Sequence, residues 1–595
     1  MRMVVLTLLA CLAPGTSMAS TPALVSPLVA PGREVFAAPP PRDALPPHST
    51  GFIAATGFTA GAALADGRLV FAHGVEEIVD GQLTGRVEVL RLLRDGKVDT
   101  SFGDRGVAGY TIPYLPPPAF ESPGPLQLLD RGAGRLLLVA PNPRTPDLPP
   151  DIELVALMAD GRTDPSFGAG GATDTGVRFS GDAPVSIAPD GSLLVAGATG
   201  PPPVLADDHL VTELHASVAR LHTDGTPDAS FGTDGIATSA ASPSNGWRAI
   251  ALASGAIALT GSVGPGVNGI TRLRADGSPD PTFNGGNPIA LNGFPSGAFV
   301  QRSDLSLDVP VSPGYAPGQV TVRRISSAGV LAPAPVLQAP GDTGDLIATA
   351  DGGELLIATA SHNTTTTTLA VQQLGADAAP GPLLSSVAPF AGGRATTFEA
   401  LFRYSQPSLN QHDFDPGHPF QAPGGRIVFP GAVVVAQPSG EQDTEQVNPA
   451  VAVVTSALKP DSSFGGPATP AALHVTVPPQ RVTVTWTPRA HIAPALTIRA
   501  RTSGPGLATV QVRSQGRLIA RQTVAVWTAG SQSIPVLLTR NGLRRLRHAG
   551  HPLQVRASVR FRSLTGLTAA ATSRPGTLGL GTIRCRACDT APTSR

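Results

Sequence analysis

Two stretches of this 595-residue chain hold side chains suited to ligand or metal chemistry. In the first, Gln411 to His418, the residues His412, Asp413, Asp415 and His418 offer two imidazoles and two carboxylates. Mixed nitrogen and oxygen donors suit a borderline divalent cation, so these four are the candidate metal ligands. The competing reading is a polar loop turned by Asp415-Pro416-Gly417, and the spacing matches no metal motif with a known mechanism. The second stretch is arginine-rich. Residues 474–595 hold 18 Arg, no Lys and one acid, Asp589, a net charge of +17. The whole chain balances at 43 basic and 43 acidic residues, so the remainder carries −17. Arg513, Arg517 and Arg521 flank one hairpin, and Arg540, Arg544, Arg545 and Arg547 crowd the next crossover. Arg556, Arg560 and Arg562 alternate with apolar residues along a strand. These ten are candidate polyanion ligands, since such a field attracts anionic polymers and is screened by salt. The competing reading is an Arg-biased solvated surface drawn to the acidic remainder of the chain.

The elements that would position these groups are read from a repeated stretch. Leu92-Leu93-Arg94-Asp95-Gly96-Lys97-Val98-Asp99-Thr100-Ser101-Phe102-Gly103 has counterparts at 157–168, 221–232 and 273–284, all fitting Leu-x-x-Asp-Gly-x-x-Asp-x-[Ser/Thr]-Phe-[Gly/Asn]. Each copy follows a β-type run such as Val87-Glu88-Val89-Leu90. Asp-Gly after such a run is a hairpin signal, because glycine takes the positive φ that other residues resist. The second Asp can accept hydrogen bonds from N–H groups two or three positions on, and the Phe supplies an apolar body to bury between units. The alternative for Asp99, Asp164, Asp228 and Asp280 is a calcium loop. That reading is disfavoured, since calcium needs six or more oxygens and each loop offers two carboxylates.

A second hairpin signal falls between these loops, as in Ala65-Asp66-Gly67 and Pro189-Asp190-Gly191. Each unit therefore holds four strands. The Phe markers at 102, 167, 231 and 283 lie 65, 64 and 52 residues apart, which suits a propeller blade with long outer loops. Degenerate units sit on Val322-Arg323-Arg324-Ile325 and on Leu355-Leu356-Ile357-Ala358, and a shortened motif returns at 458–465. Seven units suit a closed ring, which hides sheet edges. The motif resembles the delta-60 repeat of secreted or surface-exposed bacterial proteins, over roughly residues 49–472. That resemblance implies a β-propeller-like architecture and an exported location. It transfers no catalytic residue.

The ends of the chain agree with export. Met1 to Ala19 has Arg2, an apolar run from Val4 to Ala13 and a small-residue cleavage site at Ser17-Met18-Ala19, so residues 1–19 read as a secretory signal peptide. Cys11 lies in a lipobox-like Leu-Leu-Ala-Cys, which would make it a lipidated N-terminus instead. Residues 20–48 are rich in Pro and Ala and read as a linker. No later stretch is apolar over 18 residues, so no transmembrane segment is expected. In the tail 584–595, Cys585 and Cys588 lack the further ligands of a zinc site and read as a local disulfide.

From 473 to 583 the strands alternate apolar and polar residues, as in Val555 to Arg562, and read as a small immunoglobulin-like β-sandwich with a short helical crossover over 537–547. The fold expected is all-β: a β-propeller of seven four-stranded blades followed by that sandwich. The function expected is an exported, non-enzymatic binding or scaffold protein. Its propeller loops meet a protein or glycan, and its basic sandwich meets anionic cell-envelope polymer. Nucleic acid does not fit an exported chain, and no cofactor site stands out. The alternative is a hydrolase, lyase or cofactor-dependent oxidoreductase with its site at the central channel. Against it, the twelve His are scattered and no nucleophile elbow or paired carboxylates are evident.

Overall fold

The computed structural model describes residues 28–585 apart from 31–32, 36–51, 113–125, 143–150, 239–247, 313–318, 386–417, 437–444, 466–472 and a set of shorter turns. The protein is all-β. Antiparallel units of four strands follow one another along the chain. Ala60–Ala63, Leu69–Val79, Gln82–Leu92 and Val107–Ile112 form the first, joined on its inner edge by Phe52–Ala55. Gln127–Asp130 through Ala172–Arg178 and Val185–Ile187 through Ile236–Thr238 make the next two, bridged at Arg178 and Ala198. Arg248–Ala251 begins a fourth unit, Leu307–Ser312 and Gln319–Ile325 centre a fifth, and Thr343–Ala348 begins a sixth.

A further sheet is assembled from both ends of this part of the chain. Phe420–Ala422, Arg426–Ala436 and Glu445–Val454 supply three strands, and Arg33–Val35 pairs with Glu445–Val454 as the fourth. Leu28–Ala30 then pairs with Arg33–Val35. Six of the residues read as linker, 28–30 and 33–35, are thus in strands. Three-residue strands among prolines carry too little period for a sequence signal, and the partner lies more than 400 positions away.

A strand inside a unit is buried on both faces, because a neighbouring sheet lies on each side. In Leu136–Asn142, Leu136, Leu138 and Ala140 face the first unit's core, while Leu137 and Val139 face the third unit's. The period of two thus divides one strand between two cores. The first strands of successive units also pack on one another, and Phe420–Ala422 lies against Ala60–Ala63.

The repeated loop is the joint between units. Gly96 and Gly225 have φ of 92° and 82°, as the Asp-Gly hairpin requires. Asp99 Oδ1 accepts from the Ser101 N–H at 3.1 Å and the Ser101 hydroxyl at 2.6 Å, and Asp164, Asp228, Asp280 and Asp461 repeat that turn. Asp99 Oδ2 meets Arg91 Nε at 2.8 Å, and the same guanidinium covers the Phe102 ring at 4.5 Å. Arg272 does both for Asp280 and Phe283, at 2.7 Å and 4.7 Å. In the second unit Ala156 stands where Arg91 would, and Arg131 reaches over Phe167 from another turn, at 4.8 Å. Phe102, Phe167, Phe231, Phe283 and Phe464 are all fully buried between units. The residue after each Phe then donates to the next unit's turn: Gly103 to Asp160 O at 2.8 Å, Gly168 to Asp224 O at 2.7 Å, Gly232 to Asp276 O at 2.9 Å. Gly465 donates to Asp95 O at 3.0 Å, linking the last unit to the first. The turn glycine must also be small, because a Cβ on Gly225 would stand 2.7 Å from the Phe167 ring.

Beyond residue 472 two sheets close on one apolar core. Leu473–Thr476, Ala495–Thr502 and Gly530–Leu537 form the smaller. The larger carries Gln480–Thr487, Gly576–Cys585, Leu553–Ser563, Gly506–Ser514 and Arg517–Val526, with the first two paired in parallel. Leu496, Ile498 and Val536 of one meet Val510, Val559 and Phe561 of the other. The expected crossover is the helix Arg540–His548, capped by Thr539 Oγ1, which accepts from the Gly542 N–H at 3.0 Å. Gly542 touches the Ile519 carbonyl so closely that a Cβ would come within 2.0 Å of it. Among the described residues no helix is long and apolar enough to cross a membrane.

Candidate functional site

Two places gather chemistry. The first is the outer face of the larger C-terminal sheet. Leu553–Ser563 alternates strictly, burying Val555, Ala557, Val559 and Phe561 and exposing Arg556 and Arg560, with Arg562 half-buried. Its register with Gly506–Ser514 sets Arg513 directly opposite Arg556 and Thr509 opposite Arg560. On the other side of that strand Gln511 faces Arg521. Paired residues share a face with Cβ atoms roughly 5 Å apart, so the four guanidiniums occupy one patch. Among the described residues Arg513 bonds the Gly516 carbonyl at 3.0 Å and Gln511 Oε1 at 3.4 Å. Among the described residues none of the ten candidate arginines pairs with a carboxylate. Like charges directly opposed destabilise a sheet, and here no acid offsets them. Arg517 sits at the exposed hairpin, and Arg540, Arg544 and Arg547 are exposed on the helix. Arg545 donates to Gln515 Oε1 at 3.3 Å, tying the helix to that hairpin. Burial pulls Arg562 below the ordinary arginine range.

The second place is the channel between the units' first strands. Their side chains line a cavity of about 380 Å³ that includes Ala60, Leu128, Phe299, Phe420, Arg248 and His418. Three polar groups from different units converge there. His418 Nδ1 lies 3.0 Å from Asp345 Oδ2 and 3.1 Å from Oδ1, and its Nε2 lies 2.9 Å from Arg248 Nη2. A guanidinium can only donate, so Nε2 accepts and Nδ1 carries the proton that is given to Asp345. Asp345 Oδ1 also accepts from the Ala298 N–H at 2.7 Å. Gly297 permits that approach, since a Cβ there would stand 2.4 Å from the same oxygen. Burial pushes the Asp345 carboxyl up, but the hydrogen-bonded His418, with Arg248 and the Ala298 N–H, outweighs it and holds the group at about 2. The arrangement can orient an imidazole and present a guanidinium to the cavity.

Of the four candidate metal ligands, His412, Asp413 and Asp415 lie outside the described residues. His418 is described, and both of its ring nitrogens are engaged, so a metal would have to displace Arg248 or Asp345. Among the described residues no group of three or more His, Cys, Asp or Glu is placed to hold a metal. Sequence reasoning missed Arg248 and Asp345. They stand 170 and 73 positions from His418, outside any repeated motif, and only the fold brings them together.

A run of antiparallel four-stranded sheets whose first strands surround a channel defines a β-propeller-like protein. Residues 210–231 and 256–283 match a family described as a domain of unknown function (DUF5122) beta-propeller, and the two matched segments end on Phe231 and Phe283. Among solved structures, the chain is similar to a protein of unknown function from Dyadobacter fermentans at 11% identity and TM-score 0.32, covering 73% of this chain and 99% of that one. It is similar to a family 25 polysaccharide lyase, an ulvan lyase, at 8% identity and TM-score 0.35, covering 71% and 95%. A fungal alcohol oxidase in complex with copper overlaps at 11% identity and TM-score 0.31, covering 89% and 100%. A search of curated proteins gives no match.

Proposed function

We propose that this chain is an exported, non-enzymatic binding protein. In this reading residues 1–19 direct export, and residues 49–472, of delta-60 repeat type, form a wheel of seven blades closed by the strand at 33–35. The loops of the wheel meet a protein or glycan partner. Residues 473–583 form an immunoglobulin-like sandwich that holds the protein to anionic envelope polymer. The repeated Phe-to-turn joints and the Gly465–Asp95 bond support the closed wheel. The parallel pairing of Gln480–Thr487 with Gly576–Cys585 supports the immunoglobulin-like reading.

The observation that carries the function is the opposed pair Arg513 and Arg556, exposed and without a carboxylate among the described residues. Such a pair weakens the empty sheet and gains from any anion laid across it. Cosedimentation of the full chain with cell-wall material tests this: retention at low salt, lost as salt rises, is expected. Retention that ignores salt, or none, contradicts the assignment. A second reading, catalysis at the channel, is favoured by one feature, the imidazole of His418 oriented by Asp345 beside a cavity. It predicts turnover of a glycan that His418→Ala abolishes. Unchanged turnover in that variant rules it out.

A further inference from the structure

We propose that the channel cavity binds a small organic monocarboxylate, with Arg248 as the group that takes the carboxylate. This protein pairs its buried guanidiniums with carboxylates, and Arg248 departs from that pattern. Among the described residues four arginines are buried, Arg86, Arg91, Arg248 and Arg426, and the Arg302 side chain, 7% exposed, is paired with Glu354 at 2.7 Å. Three of them have a carboxylate, Glu88 at 2.7 Å from Arg86, Asp99 at 2.8 Å from Arg91 and Asp461 at 3.7 Å from Arg426. Arg248 touches an imidazole instead, and the nearest carboxylate, Asp345, bonds the far nitrogen of that ring and not the guanidinium. A guanidinium taken out of water without an anion is costly, and proteins pair such groups. The bond to His418 uses one of five N–H groups. Arg248 is one of the residues lining the cavity, so a ligand held there meets this guanidinium.

The surroundings decide the class of anion. The planar fork of an arginine matches a carboxylate with two parallel bonds. Asp345 stands behind His418 and is ionised, so the cluster has little positive charge to offer a dianion. Asp130, also on the wall, directs Oδ1 at the Gly132 N–H at 2.8 Å and adds a second negative charge. A monoanion is favoured over phosphate for both reasons. The rest of the wall is mainly apolar, with Leu128, Ile250, Phe299 and Phe420, so the carboxylate is carried on an apolar body. A volume of about 380 Å³ admits a ligand of a dozen or so heavy atoms.

The test is calorimetric titration of the full chain with benzoate, benzamide and inorganic phosphate. Benzoate is expected to bind one to one, and the neutral benzamide at least about tenfold more weakly, because it forfeits the charge-assisted pair. Phosphate is expected to bind more weakly than benzoate. Arg248→Gln should abolish benzoate binding with an unchanged circular dichroism melt. If that variant does not fold, Arg248→Lys, which keeps the charge and loses the fork, should weaken binding by about tenfold. Benzoate binding that survives Arg248→Gln, or that keeps its full affinity in Arg248→Lys, belongs to surface arginines and overturns the assignment. So does equal binding of benzamide, tighter binding of phosphate, or no benzoate binding at all.

Discussion

The propeller-like part and the C-terminal sandwich handle charge in opposite ways. In the first, acids and arginines meet inside the joints, Asp99 with Arg91 and Asp280 with Arg272, and along a strand, Asp308 with Arg302 and Arg324. Each carboxylate also closes a turn or faces a neighbouring strand, so charge there serves assembly. In the sandwich, 18 arginines share residues 474–595 with one acid, and the outer sheet sets two of them face to face. Charge left without an internal partner is available for association. The difference teaches that a net charge of zero describes neither region.

The largest expected effect falls on the joints. Phe102→Ala removes a fully buried ring and its Arg91 contact, and should cost about 3 to 5 kcal/mol, read as a lower urea midpoint. Deleting residues 28–35 strips the strand paired with Glu445–Val454 and exposes a sheet edge, so aggregation on mild heating is expected. A truncated protein as soluble and as heat-stable as the full chain would contradict ring closure.

A pH titration gives an intermediate effect. The folded pKa of Asp345, about 2, lies below the unfolded value, so its contribution is complete above about pH 4 and is lost as pH falls toward 2. The stability gap between wild type and Asp345→Asn should narrow by about 2 kcal/mol over that window. Glu354 behaves the other way. Burial and the neighbouring Asp308 raise it to about 7, so its share of stability declines as pH rises from the ordinary carboxylate range to neutrality. Glu354→Gln should flatten that decline.

The smallest effect belongs to the sandwich surface. Arg513→Gln relieves a like-charge pair and should raise stability by a few tenths of a kcal/mol, roughly the worth of a cross-strand pair. A marked loss of stability instead would mean that Arg513 holds the fold together and does not wait for a ligand.

How much of this was legible in the sequence depends on distance along the chain. Asp-Gly, Asp and Phe lie within one twelve-residue stretch, so turn, cap and buried ring were all readable from it. Alternation in Val555 to Arg562 placed Arg556 and Arg560 on one exposed face. The strand at 33–35 and the Arg248–His418–Asp345 cluster were not readable, because each depends on residues brought together only when the sheets assemble. Ala156 in place of an arginine shows the limit within the motif itself. Arg131 from a separate turn fills that role, and nothing in the repeat's spacing announces it.

The most direct test of the account is the salt dependence of binding to dextran sulfate beads, comparing the full chain with a variant carrying Arg513→Gln, Arg556→Gln and Arg560→Gln. The account predicts that the native chain elutes at a clearly higher salt concentration, while both proteins melt at similar temperatures. Coincident elution of the two would contradict it.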